Sequence, residues 1–323
     1  MSNITVKKAG ASMKFINVMQ DGNVFADGIH DDTKALQRCI DEVRDGGTVY
    51  FPDGTYLVSA ALIFYSNQVF RLSDKAVILR SDKSEPLTRY LLASYSEPDW
   101  NGYSGTHDVI IAGGIFDGNC VMTEKSTLVN TVHCRNIVIE NCRFINCSQW
   151  HCIEINSTEN AVVRNCVFDG PTYTTVNDGL CNEQVQLDLA RNGSYGPVYN
   201  CDGKLIDFSY DDTVCSNIRI HDNIFKCDGF PAIGHHGDCD HHNISIENNI
   251  FDGPSGREGK CRGYIIFRPM VYDLRVRNNV FIAPDKTDSP SYGIIYENPD
   301  ETGLTVENNI FIGKLDRKVV TGN

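Results

Sequence analysis

The sequence predicts an all-β fold: a right-handed parallel β-helix (a solenoid) with an N-terminal capping helix, forming one domain over residues 1–323. Two observations predict this fold. Segments with a shared pattern recur along the chain and end in phenylalanine, and an amphipathic helical stretch precedes them. We expect the cap and first coil at about residues 14–60 and an inserted loop at residues 189–213.

The recurring segments each fit one strand and turn of a solenoid coil. They end at Phe144, Phe168, Phe225, Phe251, Phe281 and Phe311, and a degenerate seventh ends at Phe116. The spacings of the six are 24, 57, 26, 30 and 30 residues, so the longest interval is a coil with an insertion of roughly 30 residues. β-Branched residues alternate with polar ones, which turns pairs such as Ile137 and Ile139 towards the core and the polar residues towards solvent.

A short polar residue stands three positions before each phenylalanine. These residues are Asn141, Asn165, Asp222, Asn248, Asn278 and Asn308. An amide at this turn can bond its equivalents in the coils above and below. We therefore expect a ladder of these side chains that holds the coils in register.

The N-terminal part of the chain predicts a helix over residues 31–45. Asp31 or Asp32 can cap it, and the Gly46–Gly47 pair can end it. Its apolar stripe consists of Leu36, Cys39, Ile40 and Val43. Because an open solenoid end exposes apolar side chains and unpaired strand groups, we expect this helix to cover the first coil.

The composition excludes several classes of partner. With 29 basic and 42 acidic residues the net charge is −13, which disfavours nucleic acid and anionic membrane surfaces. The start of the chain lacks the apolar run of a secretory signal peptide, and no apolar stretch reaches the roughly 18 residues of a membrane span. The 13 cysteines are odd in number and several occupy equivalent repeat positions, so we expect reduced core thiols.

Residues 27–59, DGIHDDTKALQRCIDEVRDGGTVYFPDGTYLVS, resemble the opening of the pectate-lyase superfamily of β-helices. That superfamily includes polygalacturonases, polysaccharide lyases and phage tailspike depolymerases. The resemblance implies a polysaccharide or oligosaccharide as ligand, but it does not fix the reaction, because this fold hosts hydrolases, lyases, epimerases and non-catalytic adhesins. Because the start of the chain lacks a signal peptide, we expect a cytoplasmic location, or a virion-associated one if a phage encodes the chain.

The strands that follow each phenylalanine turn predict a side wall of functional residues. Aligning residues 152–156, 185–188, 232–236, 264–268 and 294–298 puts Glu154 and Gln186 in one outward column with Gly234. The next column holds Asn156, Asp188, His236 and Arg268. A slip of one residue would turn His235 outward instead of His236.

Candidate site residues come from this wall and from the acidic insertion between Phe168 and Phe225. The stretches around Glu183, 186–188, 210–213 and 232–236 also resemble a recurrent block in pectate-lyase-like bacterial surface and phage proteins. The candidate catalytic residues are Asp188, Asp211, Glu183 and His236. The candidate substrate-binding residues are Glu154, Gln186, Asp212, His235, Arg268 and Tyr210.

A glycoside hydrolase is the favoured function, because hydrolysis needs one carboxyl as acid and another as base or nucleophile. Asp188 can supply one, and Asp211 or Glu183 the other. The polygalacturonase pattern is only partly matched: Asp188 lies in Gln-Leu-Asp, and the Asp211–Asp212 pair falls in a loop, where it can equally be a turn. We expect no cofactor and give little weight to a metal at the histidines of residues 235–242, since adjacent strand residues point to opposite faces.

Two alternatives stay open. A lyase for a uronate polymer could use His236 and Arg268, with a divalent cation as a further requirement. A non-catalytic carbohydrate-binding adhesin or phage tail fibre, which allows a homotrimer, would explain the incomplete motif. Trp100 and Tyr103 fit either sugar stacking or packing on the solenoid.

Overall fold

The computed structural model shows three long parallel sheets that wind into one solenoid. It describes residues 13–82, 89–119, 126–147, 150–170, 183–192, 196–227, 229–235, 239–254, 263–268, 271–285, 291–298 and 303–322. Strands and helices are numbered in chain order. The three sheets are here named A, B and C. Each coil of the solenoid contributes one strand to sheet A and one to sheet B, and every coil after the first also contributes one to sheet C.

The described strands of sheets A and B number ten each, and those of sheet C number nine. Sheet A consists of β1 (Lys14–Asn17), β3 (Gly47–Phe51), β6 (Gln68–Leu72), β9 (His107–Ala112), β12 (Arg135–Glu140), β15 (Glu159–Arg164), β20 (Ser216–His221), β23 (His242–Glu247), β26 (Tyr272–Arg277) and β29 (Leu304–Glu307). Sheet B consists of β2 (Asp27–Asp31), β4 (Gly54–Val58), β7 (Ala76–Arg80), β10 (Ile115–Asp117), β13 (Arg143–Ile145), β16 (Val167–Asp169), β21 (Ile224–Lys226), β24 (Ile250–Asp252), β27 (Val280–Ile282) and β30 (Ile310–Ile312). Sheet C consists of β5 (Leu62–Phe64), β8 (Tyr90–Ser94), β11 (Thr127–Thr131), β14 (Ile153–Asn156), β17 (Val185–Asp188), β22 (Ile233–His235), β25 (Gly263–Phe267), β28 (Tyr292–Tyr296) and β31 (Arg317–Thr321).

The phenylalanine repeat forms a stack of rings inside the solenoid. Phe168 of β16 pairs directly with Phe225 of β21, so the 57-residue interval is a single coil, as predicted. The two rings lie 4.6 Å apart and almost parallel. Offset or parallel aromatic stacking adds to the burial of apolar area, and here it repeats from Phe116 to Phe311. The predicted inward isoleucines Ile137 and Ile139 are each 1% exposed.

An asparagine ladder is present, but one residue later than predicted. Asn248 has a φ of 58° and supplies the left-handed turn, while its neighbour Asn249 points inward. The Asn249 amide donates to Asn279 Oδ1 at 3.1 Å and accepts from Asn223 Nδ2 at 3.0 Å. The turn requires a residue that tolerates positive φ, and Asn248 takes that position. The side chain that faces the equivalent asparagines of the adjacent coils is therefore that of Asn249.

The predicted helix is present as α2 (Thr33–Asp41), preceded by the short α1 (Val18–Asp21). Leu36, Cys39 and Ile40 of its apolar stripe are buried in the core. Asp31 Oδ1 accepts the Thr33 amide, while the carboxylate of Asp32 accepts amides from residues 25 and 26 instead. That the helix closes the solenoid end stays a prediction.

Cysteines fill core positions as thiols. Ten described cysteines are free, and all of them except Cys201 are buried. Among the described residues no helix has the length and apolar composition to span a bilayer. The inserted loop at residues 189–213 contains a small antiparallel hairpin of β18 (Val198–Tyr199) and β19 (Leu205–Ile206), which covers the outer face of the first strands of sheet C through Val198 and Ile206.

Candidate functional site on sheet C

The outer face of sheet C carries the predicted columns of polar side chains. Glu154 of β14 pairs with Gln186 of β17, which pairs with Gly234 of β22. Asn156 pairs with Asp188 in the adjacent column. The register inferred from the repeat is therefore correct across these strands. It is wrong by one residue for residues 294–298, because Ile294 pairs with Ile265 and not with Tyr264. His236 lies outside the described residues, so its place beside Asp188 stays a prediction.

The wall is buried rather than open to solvent. Glu154, Gln186 and Asp188 are each 3% exposed, and Asn156 is fully buried. Part of the cover comes from the inserted loop, whose Ala190 amide donates to Ser157 Oγ at 2.8 Å. These side chains share the predicted columns, but the cover removes them from solvent.

Glu154 is held in its protonated form. Burial raises the pKa of Glu154, and the negative charge of Asp188 raises it further, to about 8. Donors oppose this shift only weakly, because the Thr127 hydroxyl and the Asn130 amide both reach Glu154 Oε2 at 3.3 Å. At neutral pH Glu154 is thus a carboxylic acid with a proton to give.

Asp188 has the surroundings of a carboxylate. Its Oδ1 accepts the backbone N–H of Leu189 at 2.7 Å, and its Oδ2 accepts Gln186 Nε2 at 3.3 Å. Hydrogen bonds from donors favour the charged form of a carboxyl group. The charge of Asp188 raises the pKa of Glu154 on the adjacent coil, and such mutual influence between two carboxyl groups is found where acid and base roles are divided.

Asn156 lies between these two carboxyl groups in the sheet and has unused bonding capacity. Its amide acts to lower the pKa of Glu154, yet neither Oδ1 nor Nδ2 reaches hydrogen-bonding geometry with a partner in the described parts of the chain. Buried amides without partners are rare, because each lost hydrogen bond costs about 1–3 kcal/mol. An incoming hydroxyl group could satisfy both amide atoms.

Glu183 contributes a third carboxyl group to the same face. A β-carbon at position 234 would lie 2.9 Å from Glu183 Cγ and 2.6 Å from Ile266 O, so glycine is required there to make room. His151 Nδ1 donates to the Glu183 carbonyl at 2.7 Å and lies 4.0 Å from Glu183 Oε2. The side chain of Glu183 therefore lies beside the column of Gln186. It occupies the space above Gly234 that a larger residue at position 234 would fill.

Asp211 and Asp212 lie in the inserted loop and hold its backbone. Asp211 accepts the amides of Gly102 at 2.7 Å and Thr213 at 3.0 Å, which is a turn bonded by an aspartate side chain. Burial alone would raise the pKa of Asp211, but these hydrogen bonds and the nearby His133 lower it. Asp212 has a φ of 55° and pairs with Arg191 Nε at 2.6 Å. Asp211 therefore bonds backbone amides, and the carboxyl group whose charge acts on Glu154 is that of Asp188.

His235 lies inside the solenoid, which corrects its assignment to substrate binding. It pairs with Leu187, is fully buried, and stacks on Phe267 at 5.4 Å. Arg268 is half-exposed, with its guanidinium 3.8 Å from Glu297 Oε2. Tyr210 is 55% exposed and packs edge-on against Phe208.

The loop that holds Trp100 and Tyr103 packs onto the insertion. Tyr103 Oη donates to the Val214 carbonyl at 2.8 Å, and the Trp100 ring meets Tyr95 edge-on at 5.6 Å. Packing therefore accounts for both aromatic residues. Among the described residues, no three His, Cys, Asp or Glu side chains gather in a way that could hold a metal ion.

Sequence reasoning missed two members of the site, Thr127 and Asn130 of β11. Asn130 occupies the same column as Glu154, one coil earlier. The segment Thr127–Thr131 lacks a clear alternation of apolar and polar residues, so its sequence does not reveal that it is a strand equivalent to those of the other coils. Counting one coil length back from Glu154 would have found it.

A family model described as rhamnogalacturonase A/epimerase, pectate lyase-like, matches residues 15–222. The plasmin and fibronectin-binding protein A of Streptococcus pneumoniae is 30% identical over 267 residues, which are 72% of this chain and 36% of that protein. The preneck appendage protein of Bacillus phage PZA is 26% identical over 256 residues, covering 69% of this chain and 28% of the relative. The chain thus spans about a third of the length of these curated relatives.

Solved structures share the solenoid. The crystal structure of the Streptococcus pneumoniae surface adhesin PfbA superposes with a TM-score of 0.74 at 23% identity, covering 96% of this chain and 74% of that one. An exopolygalacturonase from Thermotoga maritima superposes with a TM-score of 0.54 at 14% identity, covering 94% and 77%. The same fold therefore serves an adhesin and a glycoside hydrolase.

Proposed function

Because the chain belongs to the rhamnogalacturonase A/epimerase, pectate lyase-like family of carbohydrate-active β-helices, we propose that it binds a polysaccharide at sheet C and hydrolyses it there. The observation that carries the proposal is the pairing of Glu154, whose pKa is raised to about 8, with the carboxylate of Asp188. Pairs of carboxyl groups whose surroundings drive their pKa values apart supply the acid and the base of glycoside hydrolysis.

In this mechanism Glu154 donates its proton to the glycosidic oxygen as the bond to the leaving sugar breaks. Asp188 either removes a proton from the attacking water or attacks the anomeric carbon itself, according to the separation of the two carboxyl groups on the bound sugar. The charge of Asp188 helps to keep the proton on Glu154 until the substrate takes it. If Asp188 attacks the anomeric carbon, the ionised Glu154 takes a proton from the water that hydrolyses the glycosyl–enzyme ester, which frees Asp188 and restores the acid. If Asp188 instead takes a proton from the attacking water, it loses that proton to solvent and Glu154 regains one from solvent.

Neighbouring amides position the sugar in the proposal. Asn156 offers a donor and an acceptor that no described residue uses, which suits a hydroxyl group of the substrate. Gln186 donates to Asp188 and so orients the carboxylate. Glu183 lies beside them, over Gly234, and would border the bound sugar.

Binding without cleavage is the second candidate. The specific observation in its favour is that Glu154 and Asp188 are each only 3% exposed, so a polymer must displace part of the cover to reach them. A glycan-binding module of a surface or virion protein would need the wall of sheet C without turnover. A relative named as a plasmin and fibronectin-binding protein and another named as a phage preneck appendage protein support binding without cleavage.

A polysaccharide panel tests the proposal, read by reducing ends and by ultraviolet absorbance. Hydrolysis releases reducing ends without new absorbance, whereas a lyase produces both. We expect Glu154→Gln and Asp188→Asn each to lower turnover about 10²–10⁴-fold, since each removes one proton-transferring group. Binding of the polymer should persist in both variants.

Glu140→Gln is the matched control, because Glu140 lies on sheet A and has the same side chain. Its turnover should equal that of the wild type. Binding without release of reducing ends from any polymer would exclude hydrolysis and leave the second candidate. Full activity in Asp188→Asn would refute the assignment of the pair.

A further inference from the structure

The outer face of sheet A contains a groove of about 280 Å³ that has no part in the sheet C site. It crosses three successive strands, β20, β23 and β26. Arg219, Ser245 and Arg275 form one column across these strands, and His221, Glu247 and Arg277 form the next. Neighbouring strands lie about 4.8 Å apart, so the short Ser245 side chain makes a floor between two arginines roughly 10 Å apart.

Three guanidinium groups and the carboxylate of Glu247 line the groove, on a protein of net charge −13. Arg275 pairs with Asp273 at its margin and Arg277 pairs with Glu247, so Arg219 is the guanidinium group of the groove that no described carboxylate bonds. Burial alone would raise the pKa of Glu247, but hydrogen bonds from Ser245 and Arg277 and the charge of Arg219 hold it below its usual value. The surrounding field therefore favours negative charge at this place.

The arginines differ in how fully the protein satisfies them. Arg275 donates to Asn243 at 2.9 Å and to both oxygens of Asp273 at 2.7 Å. Arg277 donates one N–H to Glu247 at 2.6 Å, while its buried Nε has no partner in the described structure. The exposed side chain of Arg219 forms no hydrogen bond or ion pair with any residue that the structure describes, and its charge acts on Glu247.

We propose that this groove is a second binding site, which takes an acidic sugar of a polysaccharide with its anionic group at Arg219 and its hydroxyl groups against Ser245 and Asn243. Arginine binds carboxylate and sulfate groups through paired N–H donors, and Arg219 has all of its donors available. The polar floor suits hydroxyl groups, and the volume suits one sugar residue rather than a chain segment. The site does not depend on the carboxyl pair of sheet C.

Calorimetric titration of the full chain with a short oligogalacturonate tests the proposal, with neutral dextran and sodium sulfate as the other probes. We expect the oligogalacturonate to bind with a salt-sensitive affinity and the dextran to bind more weakly. Arg219→Gln should raise the Kd for the oligogalacturonate about tenfold or more, since it removes a charged hydrogen-bond donor. Arg143→Gln, an equal change of charge on sheet B, should leave the Kd unchanged.

Glu247→Gln gives a test in the opposite direction. Removing the charge of Glu247, which lines the groove, should tighten binding several-fold, and thermal unfolding of each variant verifies that it folds. Equal weakening by Arg219→Gln and Arg143→Gln would overturn the site. Inorganic sulfate binding as tightly as the oligogalacturonate would overturn its assignment to a sugar. Both readouts are binding constants, so they stand whether or not the sheet C pair hydrolyses anything.

Discussion

Glu154 shows how burial changes the chemistry of an ordinary side chain. A solvent-facing glutamate on a strand is charged at neutral pH, but this one lies under a cover, near the charge of Asp188. Both effects favour the protonated form. The same carboxyl group that serves as an acid in the proposed mechanism must therefore affect stability in a characteristic way.

We predict that Glu154 makes stability depend on pH between about 4.5 and 8, its unfolded and folded pKa values. The folded state retains the proton that the unfolded chain releases, so the stabilisation is fully present below the lower value and is lost as pH rises to the upper one. As pH rises through this range, the free energy of unfolding of Glu154→Gln should increase relative to that of the wild type by about 1 kcal/mol per pH unit. The total increase should be a few kcal/mol. Urea unfolding at four pH values measures this difference.

Glu140→Gln serves as the control in the same experiment. Its difference from the wild type should not grow with pH in this range. If the free energies of unfolding of Glu154→Gln and the wild type differ by a constant amount from pH 5 to pH 8, the pKa of Glu154 is not raised.

For single residues, the sequence predicted the place of each side chain in the sheet better than its burial and its hydrogen-bond partners. The repeat placed Glu154, Gln186 and Asp188 in the correct columns, because strand register follows from the side-chain alternation of the coils. Burial could not be predicted, since it depends on how the inserted loop folds back. The same loop decided that Asp211 bonds backbone amides rather than joining the carboxyl pair.

The asparagine turn is the element that locks one coil to the next. The two consecutive residues of the turn differ in role. Asn248 adopts the left-handed backbone conformation, whereas the buried side-chain amide of Asn249 bonds the adjacent coils. Sequence alone favoured the first position because a short polar residue recurs there in six coils, from Asn141 onwards. Buried cysteines, Cys142 and Cys166, occupy the second position in the first two of these coils, so the ladder of amides begins only at Asn223.

We predict that Asn249→Ala destabilises the protein by about 2–4 kcal/mol. The change removes bonds to Asn223, Asn279 and the Ile220 carbonyl, and it leaves buried polar groups without partners. Asn248→Gly should stay within about 1 kcal/mol of the wild type, because glycine adopts positive φ freely. Chemical unfolding of both variants compares the two neighbours directly, and equal losses would contradict the division of tasks.

On the scale of the whole molecule, the stacked coils bury most of the described thiols. Burial raises the pKa of Cys134 and Cys215 to about 12, so these thiols are neutral and shielded from reagents. The odd number and repeat positions of the cysteines predicted this state from the sequence. The assembly state, including the homotrimer considered above, stays a prediction.

We predict that Cys201 reacts with a thiol reagent in the native protein, because it is the half-buried member of the described cysteines. Cys201→Ser should lower the number of rapidly reacting thiols by one, counted by Ellman's reagent. Cys215→Ser should leave that number unchanged. A rapid count that is the same in Cys201→Ser and the wild type would contradict the burial pattern.

The pH dependence of kcat/KM on the polymer that the protein cleaves tests the central claim most directly. Since the acid must carry its proton in the free enzyme, the account predicts a plateau at neutral pH and a tenfold fall per pH unit above about pH 8, the pKa of Glu154. A rate that stays constant through pH 9, or a limb that persists unchanged in Glu154→Gln, would contradict the role of Glu154 as the acid.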